Sequence, residues 1–558
     1  MDDFSMAWIV GFVCIVFITN KTWKRLQLSR AKHPSLRGHS KWSRRVARLI
    51  PNFDYDPQEF FNSDGASDGV VKQRQAGFER LIKLFDEKSP KTMAFYNQLE
   101  SSISDVAFTN AYRVPFPYRK YLGQHLKVGS VVEESQGVKV KDLDGQWSYD
   151  LTGSYGVNVF GYDFYKDCMA QAVDQVENLG PVLGAYHPLI KDNVDQLKTL
   201  SGLDEVSFHM SGTEAVMQAV RLARYHTGKT HLVRLCGSYH GWWDGVQPGI
   251  GNQRKTNDVY TLSDMSDKTL HVLNTRHDIA CVLINPLQGL HPNADAAGDA
   301  ALVSSDRSAG FNKIAYTKWL KDIREVCTRR SIVLIFDEVF TGFRLAYRGA
   351  QEYFDIQADM VTYGKTLGGG FPVGVVCGTH ALMKRFKDNQ PVNMSFARGT
   401  FNSHPYVLAS MNVFLNRIKD DEYQQQYKQL DECWAARVSE LNKRFDEAGL
   451  PVKIANLSSI WTVLYTKPSR YNWMYQYYLK AEGLSLSWVG SGRIIMSFNF
   501  SDDAFEHVMN RFIKAAKNMQ QDGWWCLEPL LTNKEIKQKI FRRILREKFP
   551  VLKPLLTS

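Results

Sequence analysis

None of the eight cysteines of the 558-residue chain pairs in a CxxC spacing. Cys14, Cys168, Cys236, Cys281, Cys327, Cys377, Cys433 and Cys526 are scattered. That spacing argues against a zinc site and a disulfide framework and fits a reducing, cytosol-facing location; no metal is expected. Acids are missing between Lys21 and Arg48, where ten Lys or Arg occur. The tail from Lys534 to Lys553 carries eight basic residues against two acids, Glu535 and Glu547. The formal net charge is +11, so these two ends leave the rest of the chain at −5. A basic excess confined to terminal arms excludes a folded nucleic-acid-binding surface and favours a membrane surface.

Long apolar runs are also lacking, with one exception. Residues 4–20, "FSMAWIVGFVCIVFITN", are uncharged and lie between Asp3 and Lys21. Seventeen residues is the lower limit for a transmembrane helix. The acidic start and the missing small-residue cleavage site exclude an ordinary signal peptide. A single-pass helix with the following chain cytoplasmic is expected, or else a helix lying in the membrane plane. The tail "NKEIKQKIFRRILREKF" places Ile536, Ile540, Phe541, Ile544, Leu545 and Phe549 on one helical face, to lie on a bilayer or pack on its own domain. "GWW" at 523–525 is compatible with a membrane interface. Residues 51–110 read as a polar linker or helical cap.

From about residue 130, short apolar runs alternate with amphipathic ones. "EVSFHM", "HLVRLC", "ACVLINP", "IVLIFDEV" and "MVTYGK" read as buried strands, with helical stretches between them. The pattern predicts an α/β fold with a mostly parallel sheet. Ligands of such sheets sit beyond the carboxyl ends of the strands. Four stretches fall there. "SGTEA" opens a helix with Ser211, Gly212 and Thr213, an N-cap or an anion cradle. "GSYHG" exposes Tyr239 and His240 on a loop. "FDEV" supplies Asp337 and Val339. "TYGKTLGGGFPVG" supplies Lys365. An anion cradle, an aromatic plate, a carboxylate and a lysine are the parts that a pyridoxal phosphate site needs.

In their order, "VKVKDLDGQWSYDLTGSYGVNVFGY", "SGTEAVMQAVRLAR", "GSYHG", "FDEVFTGFR", "VTYGKTLGGGFPVG" and "GTFNSHP" resemble class III aminotransferases of fold type I, in the glutamate-1-semialdehyde aminomutase-like branch. The likeness spans roughly residues 112–520. Several phrases look closest to aminotransferase domains of polyketide and nonribosomal peptide assembly lines. The resemblance implies a large domain with a mostly parallel seven-stranded sheet and a smaller α+β domain. It implies Lys365 as the lysine that forms the Schiff base and shuttles the proton. Asp337 would pair with the pyridinium nitrogen, and Ser211, Gly212 and Thr213 would bind phosphate. Tyr239 would stack on one ring face beside His240, with Val339 on the other. Thr400 would reach the neighbouring subunit's phosphate, so a homodimer is expected. Ser154, Tyr155 and Asn158 would line the substrate pocket, with Arg344 and Arg113 as carboxylate partners or structural residues. Asn285 in "LINPLQG" stands where the family usually has glutamate.

The expected organisation is an anchor helix over 1–25, a basic linker and cap over 26–110, and the first part of the small domain over 111–160. The large cofactor domain covers 161–415, the rest of the small domain 416–525, and the amphipathic tail 526–558. The expected activity is transfer of an amino group from an amino acid donor to a hydrophobic carbonyl. The acceptor would be a long-chain aldehyde or a β-ketoacyl group on an acyl carrier protein, at the inner, cytoplasmic membrane face. The alternatives are an aminomutase, or an inactive membrane-tethered binding protein, against which the retention of both Lys365 and Asp337 argues.

Overall fold

The structure is a computed structural model describing residues 3–32, 45–112, 114–247, 251–254, 256–287, 311–486, 493–526 and 531–549, without the side chains of 3–7 and 110–112. Arg113 therefore lies outside the described residues.

The core is a seven-stranded sheet of β1 (Glu205–His209), β2 (His231–Leu235), β3 (Val259–Leu262), β4 (Ile279–Ile284), β5 (Val333–Asp337), β6 (Met360–Gly364) and β7 (Gly374–Gly378). Its spatial order is β1-β7-β6-β5-β4-β2-β3. Five of these are the strands expected from the apolar runs; β3 and β7 were not recognised. β4 and β5 are buried along their whole length, as expected of strands covered on both faces. β7 runs antiparallel to both β1 and β6, so the sheet is mixed. The reason is local: only the turn carrying the glycine cluster separates β6 from β7, too short for the crossover that a parallel pair needs. Because β7 reverses between them, β1 and β6 run the same way, and six carboxyl ends share one edge.

Both ends of the chain build the smaller layers. Trp147–Asp150 pairs in parallel with Leu484–Ser485, while Val452–Leu457, Ile460–Tyr465 and Arg493–Ile495 form a separate antiparallel sheet.

The segment read as a polar linker is a packed layer. Phe60, Phe61 and Phe78 are buried with Tyr118, Tyr471 and Trp524. Within it, Arg74 on α2 (Asp68–Lys88) is fully buried. Its guanidinium donates to both Asp64 oxygens at 2.8 and 2.6 Å, to Phe61 O at 2.7 Å and to Gly523 O at 2.9 Å. "GWW" belongs to this core and not to an interface. Trp524 and Trp525 are buried and donate their indole N–H to Tyr478 Oη and Asn472 Oδ1.

The N-terminal helix is longer than the expected anchor: α1 (Asp3–Ala31) continues well past residue 25. Its last turns dock on the large domain, where Ala31 O accepts from Ser263 N at 2.9 Å and Lys24 O from Arg276 Nη2 at 3.4 Å. Residues 8–18 are exposed; Trp8 is 70% and Phe12 69% accessible. Among the described residues, no helix is long and apolar enough to cross a membrane, so the spanning expectation is not supported. Of the helices discussed below, α3 is Gly212–Thr227 and α4 is Asn533–Lys548.

α4 opens with a capping box of Thr532 and Glu535 and packs on its own chain. Ile536 and Ile540 are buried, and Arg543 pairs with Glu59 at 2.9 Å. Of the two uses open to the tail, the contacts are those of internal packing.

Replacing Arg74 by Ala leaves Asp64 buried without its partner. Such losses cost about 3–5 kcal/mol, and we expect that decrease in denaturant unfolding of Arg74→Ala.

Candidate active site

The shared strand edge gathers the residues singled out above. Asp337 ends β5 and is 2% exposed. Its Oδ2 accepts from His240 Nδ1 at 2.7 Å, which fixes the imidazole proton on Nδ1. Its Oδ1 accepts from Val339 N and from Thr362 Oγ1, both at 3.2 Å. Thr362 was missed from sequence. The signal was available in the strand register, because β6 sets Thr362 beside Asp337, three residues before the lysine.

Lys365 follows β6 directly and has φ 49, in the left-handed region that a lysine seldom adopts. Ser154 (φ 45) and Tyr155 (φ 57), in the turn opposite, are held the same way. Backbone strain of this kind persists only where the surroundings overdetermine it, and it gathers at working sites. Gly156 shows how close the two segments come: a Cβ there would lie 2.4 Å from the Phe340 ring and 3.4 Å from Lys365 Cδ. Phe340, also unforeseen, has its ring centroid 5.6 Å from Lys365 Nζ. Burial lowers the proton affinity of Lys365; Asp337 opposes this, while Arg344 and Arg493 add to it. An amine so placed is more readily the free base a nucleophile requires.

Ser211 caps α3, its hydroxyl accepting from Glu214 N at 3.3 Å. Gly212 sits where a Cβ would approach Val339 Cγ1 to 2.7 Å, so Val339 lies directly against the cradle. Thr213 meets the histidine loop, since a Cβ on Gly241 would lie 2.4 Å from its Oγ1. Tyr239 presents a ring that is 55% exposed. Thr400 is exposed and outside this cluster, although a Cβ on the adjacent Gly399 would lie 3.7 Å from Glu214 Oε2.

The pocket expectations are altered at two positions. Asn158 is buried and its Oδ1 accepts from Gly161 N at 2.8 Å, a turn-holding contact. Arg344 donates to Ser459 Oγ at 3.0 Å, Met496 O at 2.8 Å and Asn158 O at 3.1 Å. It ties the large domain to the smaller layers, which is the structural reading and not that of a carboxylate partner. Glu338, unforeseen, is buried with both oxygens accepting, from Ala350 N at 2.6 Å and Gln351 N at 3.1 Å. Burial nevertheless raises its proton affinity, to about 7.

These residues fit pyridoxal phosphate. The N-terminus of α3 offers N–H groups to a phosphate, and Asp337 offers a carboxylate to a pyridine nitrogen. Two polar atoms near the strand ends, His240 Nε2 and Asn285 Oδ1, are buried without a hydrogen-bond partner among the described residues.

The family model described as aminotransferase class-III matches residues 123–516. A glutamate-1-semialdehyde 2,1-aminomutase of Hydrogenobaculum sp. (strain Y04AAS1) is 30% identical over 355 residues, 60% of this chain and 77% of that protein. Among solved structures, a transaminase with PLP bound superposes with a TM-score of 0.63 at 23% identity, covering 78% of this chain and 99% of that one. A glutamate-1-semialdehyde aminomutase from Pseudomonas aeruginosa PAO1 gives 0.64 at 19% identity, covering 80% and 99%. The chain belongs to the class III aminotransferases. It is a pyridoxal phosphate-dependent transaminase, and the fold is that of the fold type I enzymes.

Burial holds His240 below the ordinary imidazole value of 6.5. As pH falls through that value, the unfolded chain takes up a proton that the folded chain refuses, so stability falls with pH. Denaturant unfolding of the apoprotein between pH 7 and 5 is expected to show this slope. His240→Asn, which keeps a donor toward Asp337, is expected to flatten it.

Proposed function

We propose that this enzyme moves an amino group from an amino acid donor to a hydrophobic carbonyl acceptor, a long-chain aldehyde or a β-ketoacyl thioester, in specialised metabolite or lipid biosynthesis. The observation that carries the acceptor class is α1, whose residues 8–18 expose an apolar surface followed by Lys21, Lys24 and Arg25. Such a helix can bury its apolar side chains at an anionic bilayer while its basic end meets the headgroups. Long-chain carbonyls partition into the same phase. An acyl carrier protein is the corresponding source of a thioester.

When bound, pyridoxal phosphate supplies an electron sink and a carbon that carries the amino group between the two substrates. Ser211, Gly212 and Thr213 would hold its phosphate, and Tyr239 and Val339 its two ring faces. Asp337 would keep a proton on the pyridine nitrogen, and His240 and Thr362 hold that carboxylate in place. Lys365 Nζ, once free of the cofactor, would take the proton from the substrate α-carbon and hold it for return. Phe340 and Gly156 keep the lysine stem confined. A homodimer accords with the exposed apolar side chains around Thr400: Phe386, Val392, Met394, Phe396 and Phe401.

Aminomutation is the second reading, favoured by the relatives that carry that name. Mass balance separates the two: transfer consumes a separate donor and releases its keto acid, whereas mutation does neither. With octanal and β-ketoacyl thioesters offered against a panel of amino acids, we expect stoichiometric keto acid. Lys365→Ala is expected to slow turnover by at least about 10²-fold, the scale of general acid–base catalysis. Turnover without a donor would sink the transfer reading.

Vesicle flotation checks the membrane element. The full chain is expected to float with vesicles containing phosphatidylserine, and Phe12→Glu/Phe17→Glu to remain in the soluble fraction.

A further inference from the structure

Two tyrosines on one turn of a helix reach the two strained segments of the site. Tyr162 and Tyr165 open the helix Tyr162–Val176, three residues apart and therefore on one face. Tyr162 Oη donates to Asp150 Oδ2 at 2.8 Å and pairs with Ser154 Oγ at 3.1 Å. Asp150 Oδ1 in turn accepts from Thr152 N at 2.8 Å and from Thr152 Oγ1 at 2.6 Å. Tyr165 reaches the other segment. Its Oη pairs with Thr366 Oγ1 at 2.5 Å, where either hydroxyl can donate, and accepts from Val159 N at 3.0 Å. Val159 closes the turn that carries Ser154 and Tyr155. One phenol oxygen thus joins that turn to the residue that follows Lys365.

The joint is dry. Tyr165, Thr366 and Val159 are all buried, and polar groups in such a place hold one another because a lost partner leaves them unpaired away from water. Burial pushes the Tyr165 phenol up to about 12, so it keeps its proton and remains a donor. On the other side of Lys365, β6 is held between β5 and β7. Lys365, with φ 49, therefore links a paired strand to a clamped threonine. The turn comes closest at Gly156, where a Cβ would lie 3.4 Å from Lys365 Cδ. Tyr165 is itself enclosed, so it acts on the chemistry through Lys365.

We infer that Tyr165 is a positioning residue: through Thr366, its hydroxyl fixes the left-handed backbone of Lys365 against the turn of residues 154–159 and so sets where the lysine amine stands. This deepens the reading of Lys365 as the amine that joins pyridoxal phosphate, and rests on it. The charged groups that act on that amine are Asp337, Arg344 and Arg493, and the Phe340 ring lies 5.6 Å from it. An amine released from the clamp leaves its buried place, and its proton affinity returns toward that of an ordinary lysine.

The test strips the full-length holoenzyme of pyridoxal phosphate and returns it, in wild type, Lys365→Ala, Tyr165→Phe, Thr366→Val and Thr366→Ser. Capture is followed by visible absorbance and by borohydride trapping of the Lys365 peptide, read by mass spectrometry, across about pH 6 to 10. Tyr165→Phe and Thr366→Val are expected to slow capture at least about fivefold, the scale of one hydrogen bond, and to move its midpoint upward in pH. The slowing persists above both midpoints, where the amine is deprotonated in every variant. Thr366→Ser keeps the hydroxyl and is expected to stay within about twofold of wild type. If Tyr165→Phe does not fold, the two Thr366 variants carry the comparison. A lowered Tm in Tyr165→Phe and Thr366→Val with capture and midpoint unmoved would make the pair structural and overturn the inference. So would equal slowing by Thr366→Val and Thr366→Ser. If wild type traps no cofactor on Lys365, the reading of that lysine fails and the inference with it. If wild type traps it, Lys365→Ala does not, and Tyr165→Phe and Thr366→Val match wild type, the reading stands and the inference alone fails.

Discussion

A carboxylate held in the dark of a protein is expensive, and Asp337 is such a group. It ends a fully buried strand, and leaving it unpaired would cost several kcal/mol. His240, Thr362 and the Val339 amide together satisfy it. Each comes from a different segment, so the requirement to pair one carboxylate fixes the histidine loop, β6 and the turn after β5 in one arrangement. Lys365 is three residues beyond Thr362, and its place follows from the same constraint. The cradle of Ser211, Gly212 and Thr213 joins through Val339, against which Gly212 packs without a side chain.

Much of this was legible in the sequence because it follows local rules. The buried strands show as apolar runs, and the residues at their ends follow from the direction of the sheet. Ser211, Tyr239, Asp337 and Lys365 therefore gather on one edge, although the sheet sets them there in the order Ser211, Lys365, Asp337, Tyr239. What was not legible depends on contacts far apart in sequence. The 51–110 segment looks polar because its apolar residues are spaced among charges, yet Arg74 meets Gly523 O across 449 positions. Nothing near Arg74 announces that partner. β7 escaped for the opposite reason: "GVVCG" is short and glycine-bounded, and only its pairing with both β1 and β6 makes it a strand.

The terminal arms show the same limit. The basic excess at both ends is real, but charge alone does not say where a helix lies. α4 uses Ile536 and Ile540 to cover its own domain, and Arg543 is held by Glu59. α1 docks only its last turns and leaves the apolar start exposed. Two segments with similar charge thus have different destinations, decided by whether an apolar stripe finds a complementary surface within reach.

From the sequence, Arg344 in "TGFR" is a carboxylate partner or a structural residue, whereas Arg493 in "SGRII" does not stand out. Arg344 is close to the site, and its two Nη atoms donate to Ser459, Met496 and Asn158, while its Nε is buried without a partner among the described residues. Arg493 reaches the site through the face of a small-domain strand. Lys365 therefore lies between one carboxylate, Asp337, and two cations. Asp337 favours the protonated lysine and the arginines disfavour it.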